Sequence, residues 1–129
     1  MSDHPKPEIG AIGWTDLTVD DAVAVRDFYA AVIGWQPSPV SMGDYDDFNM
    51  CLPSSNQPAA GICHARGANA DLPAVWMVYI TVEDADDSAA ACVERGGKIL
   101  SGPRDMGEMG RYCVIRDPAG AVAALFAYK

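Results

Sequence analysis

The chain repeats itself. Leu17-Thr18-Val19-Asp20-Asp21-Ala22 is matched by Ile80-Thr81-Val82-Glu83-Asp84-Ala85 at an offset of 63 residues, every position identical or conservatively replaced. The same offset pairs Gly34 with Gly97, where the helix of each copy is expected to stop. The interval is too long for a solenoid repeat. In a chain of 129 residues it leaves room for two copies, so the pattern points to a duplicated module.

Each copy reads as a strand followed by a helix. In the first, residues 10–19 form the strand, and Asp20 or Asp21 caps the helix that follows. Val25, Phe28, Tyr29, Val32 and Ile33 recur at helical spacing and predict one apolar face. In the second copy residues 76–82 form the strand, Ala85, Ala89, Cys92 and Val93 a smaller helix face, and Gly96-Gly97 the stop. Three short strand candidates follow each helix, with a turn at Asp117-Pro118-Ala119-Gly120 before the last. The fold class predicted is α+β: two tandem βαβββ modules, about 8–67 and about 73–129, forming a curved, mainly antiparallel half-open barrel in a single domain.

Strand alternation assigns the faces. Val78, Ile80 and Val82 turn toward the helix; Met77, Tyr79 and Thr81 turn away. The repeat puts Trp14, Asp16 and Thr18 on the corresponding face of the first copy. Apolar walls with a few polar anchors suit a ligand pocket. The segment Pro103–Arg111, with its glycines and methionines, reads as a covering loop. Met106 is placed to cover an apolar ligand, and Arg104 or Arg111 to pair with an anionic group.

Acidic residues outnumber basic ones 18 to 9, a net charge of −9. Such a surface repels phosphate backbones and anionic lipid, so neither nucleic acid nor a membrane is expected as partner. No apolar run is long enough to span a bilayer, and the polar start holds no signal-peptide centre, so a cytoplasmic location is expected. Cys51, Cys63, Cys92 and Cys113 form no C-x-x-C pair, and Cys51, Cys63 and Cys113, inside apolar stretches, read as small buried residues in a reducing compartment. Histidine is confined to His4 and His64.

The duplicated order, the D-F-Y-A-A-V-I-G-W stretch at 27–35 and the run from Gly96 through D-P-A-G-A at 117–121 resemble the vicinal oxygen chelate superfamily. That group includes glyoxalase I, extradiol dioxygenases and bleomycin-resistance proteins. The resemblance runs from about Ile9 to Tyr128. It implies a divalent metal held by the first and last strands of each module. The matching positions here are Trp14, Met77, Gly61 and Ala124. These side chains supply no imidazole or carboxylate donors. The expectation is therefore that the chain holds no metal and no cofactor.

The function expected is that of a metal-free small-molecule-binding protein. Its ligand touches Trp14, Asp16, Met77, Tyr79, Arg104, Met106 and Arg111. Two alternatives stay open. One is a glyoxalase-like lyase, isomerase or oxygenase acting on a small carbonyl compound, with Asp16 as the acid/base candidate. The other is an antibiotic-sequestering protein. The resemblance also implies a homodimer.

Overall fold

The computed structural model describes residues 6–129, so His4 lies outside the described residues. The elements are β1 Ile12–Val19, α1 Ala22–Ile33, β2 Gln36–Ser41, β3 Asp46–Cys51 and β4 Pro58–His64, then a 3₁₀ turn at Gly67–Asn69. They continue as β5 Trp76–Thr81, α2 Ala85–Glu94, β6 Lys98–Asp105, β7 Gly110–Arg116 and β8 Val122–Tyr128. The order is strand, helix, three strands, twice over, and the class is α+β as expected.

The chain divides into two compact units: Trp14–Trp76, and Met77–Lys129 together with the described residues that precede Trp14. Strand order in the first is β2-β3-β4-β1 and in the second β5-β8-β7-β6. In each unit two pairings are antiparallel and one, between the module's first and last strands, is parallel. A helix leading into a three-strand meander brings the last strand alongside the first in the same direction. The repeat is legible residue by residue. Asp16, Leu17 and Thr18 pair with Gly61, Ile62 and Cys63, while Tyr79, Ile80 and Thr81 pair with Ala124, Leu125 and Phe126.

The caps repeat as well. The Asp21 carboxylate accepts the Ala24 backbone N–H at 3.0 Å, and the Asp84 carboxylate accepts that of Asp87 at 2.9 Å. Of the two expected candidates, Asp21 is the cap. Gly34 leaves α1 at φ 93°, the left-handed region open to glycine. In the second module Gly96 takes that role at φ 95°.

Each helix packs on one face of its own strands. Leu17, Ala22, Phe48, Met50 and Ile62 form the core of the first unit, with Val19, Val25, Tyr29 and Trp35 against it. Ala89, Cys113 and Leu125 form that of the second, with Ile80, Val82, Ile99 and Ile115. The five-residue apolar face expected of α1 is only partly used. Val25 and Tyr29 meet the core, whereas Phe28, Val32 and Ile33 are 57, 62 and 50% exposed. Val93 of α2 is likewise exposed.

The segment expected to be a covering loop is mostly strand. β6 continues through Pro103 to Asp105, with register shifts against β7 on the way, and β7 begins at Gly110. Pro103 is accommodated because β6 is the outermost strand of its unit, where a missing N–H leaves no ladder partner stranded. Only Met106–Met109 remain between the strands. They form a tight connection in which the Met106 N–H donates to the Gly110 carbonyl at 2.7 Å.

Candidate functional site

In the first unit, the face turned away from α1 carries Trp14 and Asp16 of β1, Gly61 and Cys63 of β4, and Asp47 and Asn49 of β3. Alternation puts them there, because Leu17, Ile62, Phe48 and Met50 point into the core under the helix. Trp14 and Asp16 are half-buried, and they join: the indole N–H donates to the Asp16 carboxylate at 2.5 Å. This is a charge-assisted bond, stronger than one between neutral groups. Gly61 makes room for it. A Cβ at residue 61 would fall onto an Asp16 carboxylate oxygen.

Deeper on this face, Asp47 is buried and accepts the His64 backbone N–H at 2.8 Å. Cys63 stands between Asp47 and Asp16. Burial pushes its thiol pKa well above the ordinary thiol value, and the two carboxylates push it further. A thiol held protonated is a poor nucleophile and a poor metal ligand. The face is thus an indole, a carboxylate and an inert thiol on a glycine floor. His64 packs on Tyr45 and Phe48, ring centroids 5.5 and 6.4 Å away. It belongs to an interior strand of its unit, between β3 and β1.

The corresponding face of the second unit is aromatic. Tyr79 of β5 lies 6.5 Å from Phe126, Phe126 stacks on Tyr112 at 6.4 Å, and Tyr128 is 4.5 Å from Phe126. The Arg104 guanidinium sits 4.8 Å over the Tyr112 ring and donates to its hydroxyl. Rings carry a negative face that attracts such a cation. Ala124, opposite Tyr79, is buried and adds only a methyl group. Met77 and Thr81 are 4 and 5% exposed, so on this face of β5 Tyr79 is the side chain left reachable.

The expected site residues therefore fall into three groups. Trp14 and Asp16 are joined in the first unit. Tyr79 and Arg104 share one aromatic face of the second, with Met77 buried beside them. Arg111 and Met106 stand apart. Arg111 shares the parity of Cys113 and Ile115 and so lies on the helix side. It grips Asp86 of α2 through two nitrogens at 2.7 and 3.1 Å and reaches Asp105 at 3.3 Å. Met106 is 42% exposed in the short β6–β7 connection. Sequence reading missed Gly61 as the cradle of Asp16, together with Cys63, Asp47, Tyr112, Phe126 and Tyr128. The even-numbered aromatic residues of β7 and β8 were the available signal, since alternation places Tyr112, Phe126 and Tyr128 on the face of Tyr79.

A divalent metal does not fit the family's ligand positions in this chain. Trp14 and Met77 offer an indole and a thioether, Ala124 a methyl, and the side-chain space at Gly61 is filled by Asp16. Among the described residues no group of three or more His, Cys, Asp or Glu is placed to hold a metal ion.

The model of the Glyoxalase/Bleomycin resistance protein/Dioxygenase superfamily matches residues 11–125. The chain is 32% identical over 121 residues to the glyoxylase-like protein CFP32 of Mycobacterium tuberculosis, covering 91% of this chain and 45% of that protein. It is 32% identical over 128 residues to the anthracycline biosynthesis protein DnrV of Streptomyces peucetius, covering 91% and 46%. The chain thus spans about half the length of these relatives. Among solved structures, a methylmalonyl-CoA epimerase of Streptomyces coelicolor in complex with 2-nitronate-propionyl-CoA aligns with a TM-score of 0.56. The identity is 17%, over 94% of this chain and 99% of that one, a likeness of fold.

Proposed function

The chain belongs to the Glyoxalase/Bleomycin resistance protein/Dioxygenase superfamily, and from that premise we propose that it binds a small organic molecule without a resident metal. Each unit offers such a ligand the sheet face turned away from its own helix. The observation that carries this reading is the pairing of Asp16 with Gly61 and of Tyr79 with Ala124. The last-strand positions that would hold a metal bear hydrogen and methyl. Their first-strand partners bear a carboxylate and a phenol, groups that orient a ligand. In the first unit Trp14 supplies ring surface and Asp16 a negative charge; in the second, taken by itself, Tyr79, Phe126 and Tyr112 supply ring surface and Arg104 a positive charge. Covering apolar surface provides the affinity, at roughly 25 cal/mol per Å², and the charge on each face sets direction.

A thermal-shift screen with aromatic metabolites and divalent metals tests this. At least one aromatic compound should raise the melting temperature saturably, and a chelator should leave it unchanged. About one zinc, nickel or iron per purified chain would overturn the metal-independent reading.

The names of DnrV and its homologue DauV of Streptomyces sp. (strain C5), 31% identical, favour a second reading. In it the bound molecule is a fused-ring aromatic compound on which the protein acts within a biosynthetic sequence. Membership of the superfamily also supports the proposal that two copies associate as a homodimer. Light scattering that returned the 13.7 kDa monomer mass at micromolar concentration would overturn that proposal.

A further inference from the structure

We propose that residues 14–76 carry a second binding site, on the helix side of the sheet, for an organic cation with an aromatic body. A cleft of about 540 Å³ opens there, walled by Leu17, Val25, Phe28, Tyr29, Val75 and Trp76. Small-molecule sites are typically about 300–1,000 Å³. This cleft is separate from the face of Trp14 and Asp16, because Leu17 and Val19 point to the opposite side of β1.

The walls are preformed. Tyr29 meets Phe28 and Trp76 edge-to-face at centroid distances of 5.1 and 5.2 Å, and Trp35 closes against Tyr29 and Trp76 at 6.0 and 5.9 Å. The Trp76 indole N–H donates to the Tyr29 hydroxyl at 3.1 Å, which fixes both rings and satisfies the one indole donor. Phe28, Val75 and Trp76 nevertheless remain 57, 39 and 37% exposed. Rings held in place yet left uncovered lose little conformational freedom when a ligand covers them.

Charge selects the ligand. A second cleft of about 240 Å³ adjoins the first, sharing Val19 and Ala74, and it bears the carboxylates of Asp20 and Asp71. Among the described residues no Lys, Arg or His lines either cleft. An amine seated at the two carboxylates has its ring system directed into the aromatic cleft, where the faces of Trp76 and Tyr29 also attract positive charge. The net charge of −9 draws cations and repels anions at longer range.

Fluorescence titration of the whole chain with proflavine, a cationic acridine, tests the proposal beside the anionic probe 1-anilinonaphthalene-8-sulfonate. Proflavine should bind saturably at one per chain and weaken with added salt. Phe28→Ala and Asp71→Asn should each reduce its affinity by roughly threefold to tenfold, the scale of one lost ring or exposed charge contact. Glu108→Gln, an exposed carboxylate of the β6–β7 connection outside both clefts, should leave it unchanged, and the sulfonate should bind at least on the order of tenfold more weakly. Should Phe28→Ala fail to fold by circular dichroism, Val75→Ser at another exposed wall position replaces it. Absence of saturable proflavine binding, or equal affinity for the sulfonate, overturns the proposal. So does loss of binding in Glu108→Gln with retention in the cleft variants.

Discussion

Asp16 stands opposite Gly61 in the parallel β1–β4 pairing, and its carboxylate fills the space that a side chain at residue 61 would take. Glycine in a strand is ordinarily a weakness, since it loses more backbone entropy and packs nothing. Here it admits a carboxylate with its indole donor. Gly61→Ala should therefore destabilise the protein by about 1–3 kcal/mol, the usual scale of overpacking. Asp16→Ala should remove that clash. The double variant should be more stable than the sum of the two single losses, a positive coupling read from urea unfolding. Simple additivity would show that residue 61 does not depend on Asp16.

Two thiols make the fold sensitive to alkali. Burial raises Cys63 above its ordinary value of 9.0, with Asp16 and Asp47 adding to it. Burial likewise pushes Cys113 up to about 11, helped by Cys92 and Asp86. A folded-state pKa above the unfolded one means that the folded protein holds its proton longer. Each thiol's stabilising contribution is complete below pH 9 and falls as pH rises beyond it. Unfolding free energy measured between pH 8 and 10.5 should decline, and more steeply in the parent than in Cys63→Ala or Cys113→Ala. Equal slopes in all three would refute the assignment.

What was legible beforehand was whatever periodicity controls. The offset of 63 anticipated the matched strand-to-helix starts, where Asp21 and Asp84 cap, which follow from local chemistry repeated in sequence. The parallel registers at Gly61 and Ala124 were not anticipated, because they join strands far apart in the chain. Alternation placed Trp14 with Asp16, and Ile80 with Val82 under the helix. It also held what was overlooked for Arg111, whose odd-numbered neighbours Cys113 and Ile115 sit under α2. Other features depend on tertiary fit. Helical spacing grouped Phe28, Val32 and Ile33 with Val25, but the strands beneath α1 reach only one side of that stripe. The glycines and methionines of 103–111 suggested a loop, yet an outermost strand takes up the segment as far as Asp105, Pro103 included. The bond from Trp14 to Asp16 rests on side-chain rotamers and on an absent side chain at residue 61, which no spacing rule reports.

Arg111 serves the second module's architecture, and titration should show it. Its guanidinium donates two hydrogen bonds to Asp86 and holds that carboxyl below its ordinary value of 3.8. Asp86 lies in the first turn of α2, where negative charge also suits the helix dipole. A depressed pKa stabilises the fold above pH 3.8, and that contribution is lost as pH falls through the folded-state value. In Arg111→Gln the Asp86 carboxyl, followed by NMR, should titrate at higher pH than in the parent. Ligand affinity on the opposite face should be unchanged. An unmoved Asp86 would mean that the ion pair does not persist in solution.

Trp14 decides between a binding wall and a structural one. It is half-buried, so part of its ring surface is available to a ligand while the rest packs and its N–H holds Asp16. Truncating a fully buried tryptophan costs about 3–5 kcal/mol of stability. Trp14→Ala should cost less than that. It should also weaken whichever aromatic ligand the thermal-shift screen identifies by more than about 1 kcal/mol, the threshold of a significant contact. Trp14→Phe separates the two roles of the indole, because it keeps ring surface and removes only the donor. If ring contact dominates binding, Trp14→Phe should retain most of the affinity. If instead the placement of Asp16 dominates, Trp14→Phe should lose nearly as much as Trp14→Ala, and Asp16→Asn should follow it. Affinity unchanged in all three variants, with a stability loss at the full buried-tryptophan scale in Trp14→Ala, would show that this face is packed protein, and the binding reading would fall with it.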